Sequence, residues 1–435
     1  MELNKKTLKY QRKIWRKRNG EGRNRTVDAG IFSPSLYRLS YLAMFESRAQ
    51  LHEAVISIFF PLTKVNTHGL LRTSNHTEGD VRPLDAKRKS CYVQSKMKIA
   101  ALLPHVEVFG GVRRYLEIGN ELTKKGHAFI LFTPTGEKPQ WLEFSGTIRP
   151  FEAMEGESFD IGLLSEYSIL AYFDRLQARA KFFYFLLEGH RKEKEAVRRP
   201  FYFLGNSEGI CRRLEKKHGI RCFRAPGGIN PKIFYPVEKA SAPSRAAESA
   251  FKILCYGRIY KKRKGVRHVI RAVEKLHRRF PRLRIIFFDS LVGEDRRDPR
   301  PLIKTSVPHE FHLNLPQSRM AWLFSQADLF VSAERRAGWA NTAAEAMACG
   351  LPVVCTASGS GDFAIPMRTA LVVPCAHPYF LSRGIKRLIL DEGLRSRLAR
   401  AGYDTIMEFT WDALAGRLER IFQAVLGAPG RGSTS

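Results

Sequence analysis

The sequence is short of acidic residues and has no long apolar run. Its 435 residues include 42 Asp and Glu against 73 Lys and Arg, a formal net charge of +31. No apolar stretch approaches the roughly 20 residues that cross a bilayer. The best candidate near the N-terminus, Ala54 to Leu62, is too short and lacks the layout of a signal peptide. The chain is therefore expected to be cytoplasmic. Seven cysteines, at 91, 211, 222, 255, 349, 355 and 375, form no CxxC pair and have no His at zinc-finger spacing. Neither a metal knuckle nor a disulfide framework is indicated, and no metal is expected. Cys255, Cys355 and Cys375 lie in apolar runs and read as small core residues. GxGxxG and P-loop fingerprints are also missing, which argues against NAD or ATP as a cofactor.

The sequence does have a strong field for polyanions such as nucleotide phosphates, anionic lipid or nucleic acid. Residues 1–96 carry 19 Lys and Arg against 8 Asp and Glu, so +11 lies there and +20 on the remainder. The basic character belongs to the folded body as well. Residues 1–96 open with a basic run and show no sustained periodicity. They read as an extension of uncertain structure, either an arm for a membrane or partner or a segment upstream of the true start.

From Met97 the pattern is strand, loop, helix, strand. Lys98 to Pro104 is apolar, a loop holds Gly110 and Gly111, and Val112, Tyr115, Leu116 and Leu122 share one helix face before Ala128 to Pro134. This is a βαβ unit and implies a parallel sheet. Further strands are predicted at 159–164, 181–187 and 201–205. Residues 236–249, rich in Ala, Ser and Pro, read as a linker. The pattern then restarts with a strand at 251–259, a helix at 266–280 and a strand at 283–288. The fold class is therefore α/β: two Rossmann-like domains, 97–235 and 250–408, facing across a cleft where ligands bind at the carboxyl ends of strands. Residues 409–426 form a terminal helix packing back toward the first domain, and 427–435 a flexible tail.

After a strand at 328–332 comes a segment from Glu334 to Thr356. Asn341 or Thr342 can cap a helix of good formers, Gly350 ends it, and a strand resumes at 351–355. A helix N-terminus preceded by Gly338 presents N–H groups to a diphosphate. Glu345, one turn in, can accept from a ribose hydroxyl.

From Met97 to about Val425 the chain resembles the GT-B-fold retaining glycosyltransferases of group 4, also called group 1 glycosyl transferases. Their Glu-x7-Glu segment is matched here by Gly338-Trp339 and by Glu345-Ala-Met-Ala-Cys-Gly350-Leu-Pro-Val-Val354. The resemblance assigns Glu345 to the donor ribose. It fails at the first Glu of the motif, where Ala337 stands and where the family contacts donor-sugar hydroxyls; Glu334 is a candidate replacement. A second match is YGRIYKKRKG, where Gly257-Arg258 ends a strand and Lys264-Gly265 starts a helix. It implies that Arg258 and Lys264 neutralise the leaving diphosphate, Arg as a planar fork and Lys as a point charge. Lys261, Lys262 and Arg263 leave the choice of basic residue open. Gly110-Gly111 matches the family's N-terminal glycine loop. His190 falls near the place where the family has a cleft residue beside the transferred sugar, a surface His after a strand being an equal reading, and Glu188 is a second polar candidate on that edge. Asn206-Ser207-Glu208, Ala225 to Phe234 and Phe409 to Asp412 resemble fold markers. Asp362 follows in a Gly-rich loop and reads as solvated more readily than as a sugar contact.

The resemblance implies transfer of a sugar from a nucleotide-sugar to a glycan or lipid-linked acceptor with retention of configuration. No cofactor is implied, and the basic surface allows peripheral association with an anionic membrane. The alternatives are a nucleotide-sugar epimerase or phosphorylase on the same fold, or a catalytically weak basic protein binding membrane or RNA. RNA-recognition motifs are not visible, so nucleic acid is the least favoured partner.

Overall fold

The computed structural model describes residues 96–237, 250–291 and 296–428. The extension up to residue 95, most of the 236–249 linker and the tail from 429 lie outside the described residues.

The first domain is a parallel sheet of β1 (Lys98–Leu102), β2 (Ala128–Thr133), β3 (Thr147–Pro150), β4 (Ser158–Leu164), β5 (Gln177–Phe185), β6 (Tyr202–Gly205) and β7 (Phe223–Arg224), in the order β3-β2-β1-β4-β5-β6-β7. Its helices are α1 (Gly110–Lys124), α2 (Leu170–Arg175), α3 (Glu193–Val197) and α4 (Glu208–His218). The second sheet holds β8 (Phe251–Tyr256), β9 (Leu283–Asp289), β10 (His309–Leu313), β11 (Leu329–Ser332), β12 (Val353–Thr356) and β13 (Leu371–Val373), in the order β10-β9-β8-β11-β12-β13. Its helices are α5 (Val266–His277), α6 (Met320–Ser325), α7 (Asn341–Ala348), α8 (Pro378–Leu390) and α9 (Glu392–Ile406), followed by α10 (Trp411–Gly427).

Apolar runs with little alternation, such as IAAL in β1 and LFVS in β11, are buried on both faces, as a parallel sheet covered by helices requires. β1 pairs with β2 (Ile99 opposite Phe129) and with β4 (Ile99 opposite Ile161), so the strand order reverses at β1. β8 stands likewise between β9 (Ile253 opposite Ile285) and β11 (Ile253 opposite Leu329). Ligands of such sheets lie outside the carboxyl ends of strands at these reversals. There the chain places Arg258 and the pair Gly110-Gly111, which opens α1 and does not lie in the loop that the sequence suggests.

Several boundaries differ from the sequence expectation. β5 starts four residues earlier and stops at Phe185, and β8 stops at Tyr256 before the turn that carries Arg258. α5 ends at His277, while Phe280 packs half-buried against the same core. Cys255 and Cys355 are buried, whereas Cys375 is only partly so. α10 crosses back onto the first domain, where Trp411, Leu414, Leu418 and Phe422 join the cluster formed by Ile99, Tyr115 and Phe182. Among the described residues no helix is long and apolar enough to cross a membrane.

Candidate functional site

A cleft of about 910 Å³ opens between the two sheets and is lined from both. Gly110, Gly111, Arg258, Lys264, Gly338, Trp339, Asn341, Thr342 and Glu345 all face it. Gly257 and His190 are not among its lining residues. Gly257 packs its backbone against Phe311, and an added Cβ would stand 2.6 Å from that ring. His190 stacks on Tyr167 at 4.1 Å, and loss of solvation holds its pKa below the usual value.

Arg258 follows β8 and is held by Asp289 at the end of β9. Its Nη2 donates to Asp289 Oδ1 at 2.7 Å and to the Ser290 carbonyl at 2.7 Å, and its Nε donates to Asp289 Oδ1 at 3.0 Å. Lys264 closes a short helical turn at 262–264 and donates to Glu334. Gly265, at φ 66°, lets the chain pass within reach of Ala333, whose carbonyl oxygen would lie 2.2 Å from an added Cβ. Loss of solvation pulls the Lys264 pKa down, and the Glu334 carboxylate opposes that pull. Lys261 and Lys262 are exposed outside the cleft, which identifies Lys264 as the lysine that faces it.

α7 begins at Asn341, with Ala340 at the cap position and no side-chain cap, so neither Asn341 nor Thr342 caps it. Asn341 instead reaches the facing domain, its Nδ2 standing 2.6 Å from where a Cβ on Gly110 would be. Gly338 plays the same part from the other side: an added Cβ would fall 2.1 Å from the Leu186 carbonyl oxygen. The close approach of the domains requires glycine at 338, where the neighbour is backbone; at Gly110 the neighbour is the tip of a side chain that can move aside.

Glu345 is buried in α7 and accepts from Arg113 Nη1 of α1 at 2.9 Å. Burial raises its pKa, and the Arg113 guanidinium works in the other direction. Ala337 pairs its backbone with Leu187 of the first domain and is itself buried. Glu334 lies close by in the same wall. Its Oε2 has no hydrogen-bond partner, and Arg263 is 4.0 Å away.

Asp362 corrects the expectation of a solvated loop residue. Its carboxylate is buried against Arg224 Nη2 at 2.6 Å and accepts from the Glu208 N–H at the start of α4, so it ties the two domains together.

Sequence reading passed over Arg113, Asp289, His105 and Glu166, all of which line the cleft. Asp289 closes the apolar run LRIIFFD, and Glu166 follows β4 by two residues. Polar residues at strand carboxyl ends were the available signal. Buried polar atoms of five lining residues have no hydrogen-bond partner: His105 Nδ1, Asn206 Oδ1, Gln317 Oε1, Glu334 Oε2 and Trp339 Nε1. Buried polar groups are normally satisfied, so these five atoms are open to a polar partner in the cleft.

Two parallel-sheet domains facing across such a cleft define a GT-B-type α/β protein. Residues 236–405 match the family model described as Glycosyl transferases group 1. Curated relatives include the D-inositol 3-phosphate glycosyltransferases of Salinispora arenicola, 31% identical over 109 residues (25% of this chain, 24% of the relative), and of Paenarthrobacter aurescens, 29% identical over 214 residues (47% and 52%). The matches thus span about half or less of those relatives' length. Sucrose-phosphate synthase from Thermosynechococcus elongatus superposes with a TM-score of 0.62 at 19% identity, covering 77% of this chain and 100% of its own. Anabaena HepE, solved with UDP and glucose, gives 0.58 at 13% identity over 75% and 100%. At these identities the likeness is one of fold.

Proposed function

We propose that the chain transfers a sugar from a nucleotide-sugar donor to a hydroxyl acceptor, with retention of configuration. The observation that carries this reading is the convergence of Glu345, Arg258 and Lys264 on one interdomain cleft beside the glycines that let the domains meet. Glu345 accepts from the donor ribose. Arg258, oriented by Asp289 through Nε and Nη2, offers Nη1 to the diphosphate, and Lys264 adds a second positive charge.

In this reading the bond from the sugar's anomeric carbon to the diphosphate oxygen breaks, and the diphosphate leaves with the electron pair. The acceptor oxygen forms its bond on the same face, and its proton passes to the departing phosphate. No protein base is needed. Glu334, with one carboxylate oxygen lacking a hydrogen-bond partner, takes the sugar-hydroxyl role that Ala337 cannot.

The acceptor we propose is a glycan or a lipid-linked glycan. The net charge of +31 supports peripheral association with an anionic membrane, and this part fails if the protein does not bind anionic vesicles at low salt. A second reading, a catalytically weak binding protein, is supported by Ala337 and by the pairing of both cations with carboxylates. Incubation with labelled nucleotide-sugars separates the two. Transfer abolished by Glu345→Ala supports the enzyme, whereas no turnover together with salt-dependent RNA or vesicle binding supports the binder.

A further inference from the structure

Arg113 stands on the first turn of α1 in one domain, and its ion-pair partner Glu345 lies in α7 of the other. The pair is withdrawn from water, with side chains 19% and 10% exposed, so it is more than a surface contact. The guanidinium is also boxed in by aromatic rings, 5.7 Å over Phe234 and 6.0 Å over Trp141. Nη1 engages Glu345 Oε1, and Glu345 itself lines the cleft. From this geometry we infer that Arg113 is a positioning residue supplied by the facing domain: it fixes the orientation and the negative charge of Glu345 so that the second oxygen can accept a ribose hydroxyl.

The inference rests on the donor-site reading of Glu345. A buried carboxyl with no cation beside it becomes neutral, and a neutral carboxyl is a poor acceptor for ribose. Lys264, from the turn after β8, and Arg113 are the cations acting on Glu345, and Cys349 lies one turn along on its own helix. Glu117, one turn beyond Arg113 in α1, is held by Asn230 at 3.2 Å. Removing Arg113 therefore leaves only the more distant Lys264 to hold the charge. Domain approach and ribose binding become linked: the carboxylate is ready for the donor when the first domain has delivered its arginine.

The test is titration calorimetry of UDP, GDP and ADP from pH 6 to pH 9 on wild type, Arg113→Gln, Arg113→Lys and Glu345→Gln. Affinities are compared as variant-to-wild-type ratios at each pH, so that ionisation of the nucleotide itself cancels. Arg113→Gln is expected to weaken the best nucleotide most at pH 6, where the unpaired carboxyl holds its proton, and to recover toward wild type by pH 9. Arg113→Lys, which keeps the charge, is expected to stay near wild type. Binding by Arg113→Gln that equals or exceeds wild type, or that is weaker by the same factor at every pH, overturns the inference. If Glu345→Gln binds like wild type, or if no nucleotide binds wild type, it is the donor-site reading that fails, and the role of Arg113 falls with it.

Discussion

Arg258 and Asp289 form a two-toothed ion pair at the carboxyl ends of adjacent strands, with Nη2–Oδ1 at 2.7 Å and the carboxylate fully withdrawn from solvent. The pair orients the guanidinium before any anion arrives, and preorganisation of this kind is what makes a phosphate-binding arginine effective. Arg258→Ala is expected to lower the transfer rate by about 10²–10³-fold, with only partial recovery in Arg258→Lys, which loses the fork. Asp289→Asn leaves the arginine with a weaker partner and is expected to lower stability by about 3 kcal/mol, read from urea unfolding.

Lys264 has a depressed pKa through loss of solvation, opposed by Glu334. A lysine is useful to a diphosphate only while protonated, so nucleotide affinity should fade as pH rises through a value below the ordinary 10.5. Glu334→Gln removes the opposing carboxylate and should move that fade to lower pH. Affinity measured between pH 7 and 10 checks the direction; an unchanged profile would separate Lys264 from the phosphates.

Gly338 has no room for a side chain, because its Cβ would stand 2.1 Å from the Leu186 carbonyl oxygen across the domain boundary. Gly338→Ala must push the domains apart. A displacement near 1 Å at a reacting centre costs about 10²-fold, so steady-state turnover should fall by that order while the second domain stays folded by circular dichroism.

Asp362 and Arg224 hold the domains together in a pair whose carboxylate is buried. Arg224→Ala is expected to cost about 1–3 kcal/mol, discounted because the arginine itself is partly exposed. Burial raises the Asp362 pKa and Arg224 opposes it. A carboxyl whose folded pKa is raised favours folding at low pH and loses that contribution as pH rises through the folded value. The variant's deficit in Tm should therefore be larger at pH 8 than at pH 5.

Much of the fold was legible because apolar runs such as LRIIFF and the helix formers around Glu345 obey local rules. The identity of the two domains could be read from the repeated strand–loop–helix pattern. The residues of the candidate cleft were legible where one segment carried them, as at Arg258, Lys264 and Glu345. Interactions between distant segments were not. Arg113 lies 232 positions from Glu345, Asp289 31 positions from Arg258 and Asp362 138 positions from Arg224, and no local periodicity links such partners. His190 shows the converse: its position after an apolar run suggested the cleft, yet stacking on Tyr167 engages its ring elsewhere.

The most direct measurement is release of nucleoside diphosphate from UDP-, GDP- and ADP-sugars by wild type and by Glu345→Ala, with the anomeric configuration of the product read by NMR. The account predicts release from one donor class, a product of unchanged configuration, and loss of at least about 10²-fold in the variant. Equal rates in wild type and variant, or an inverted product, would contradict it.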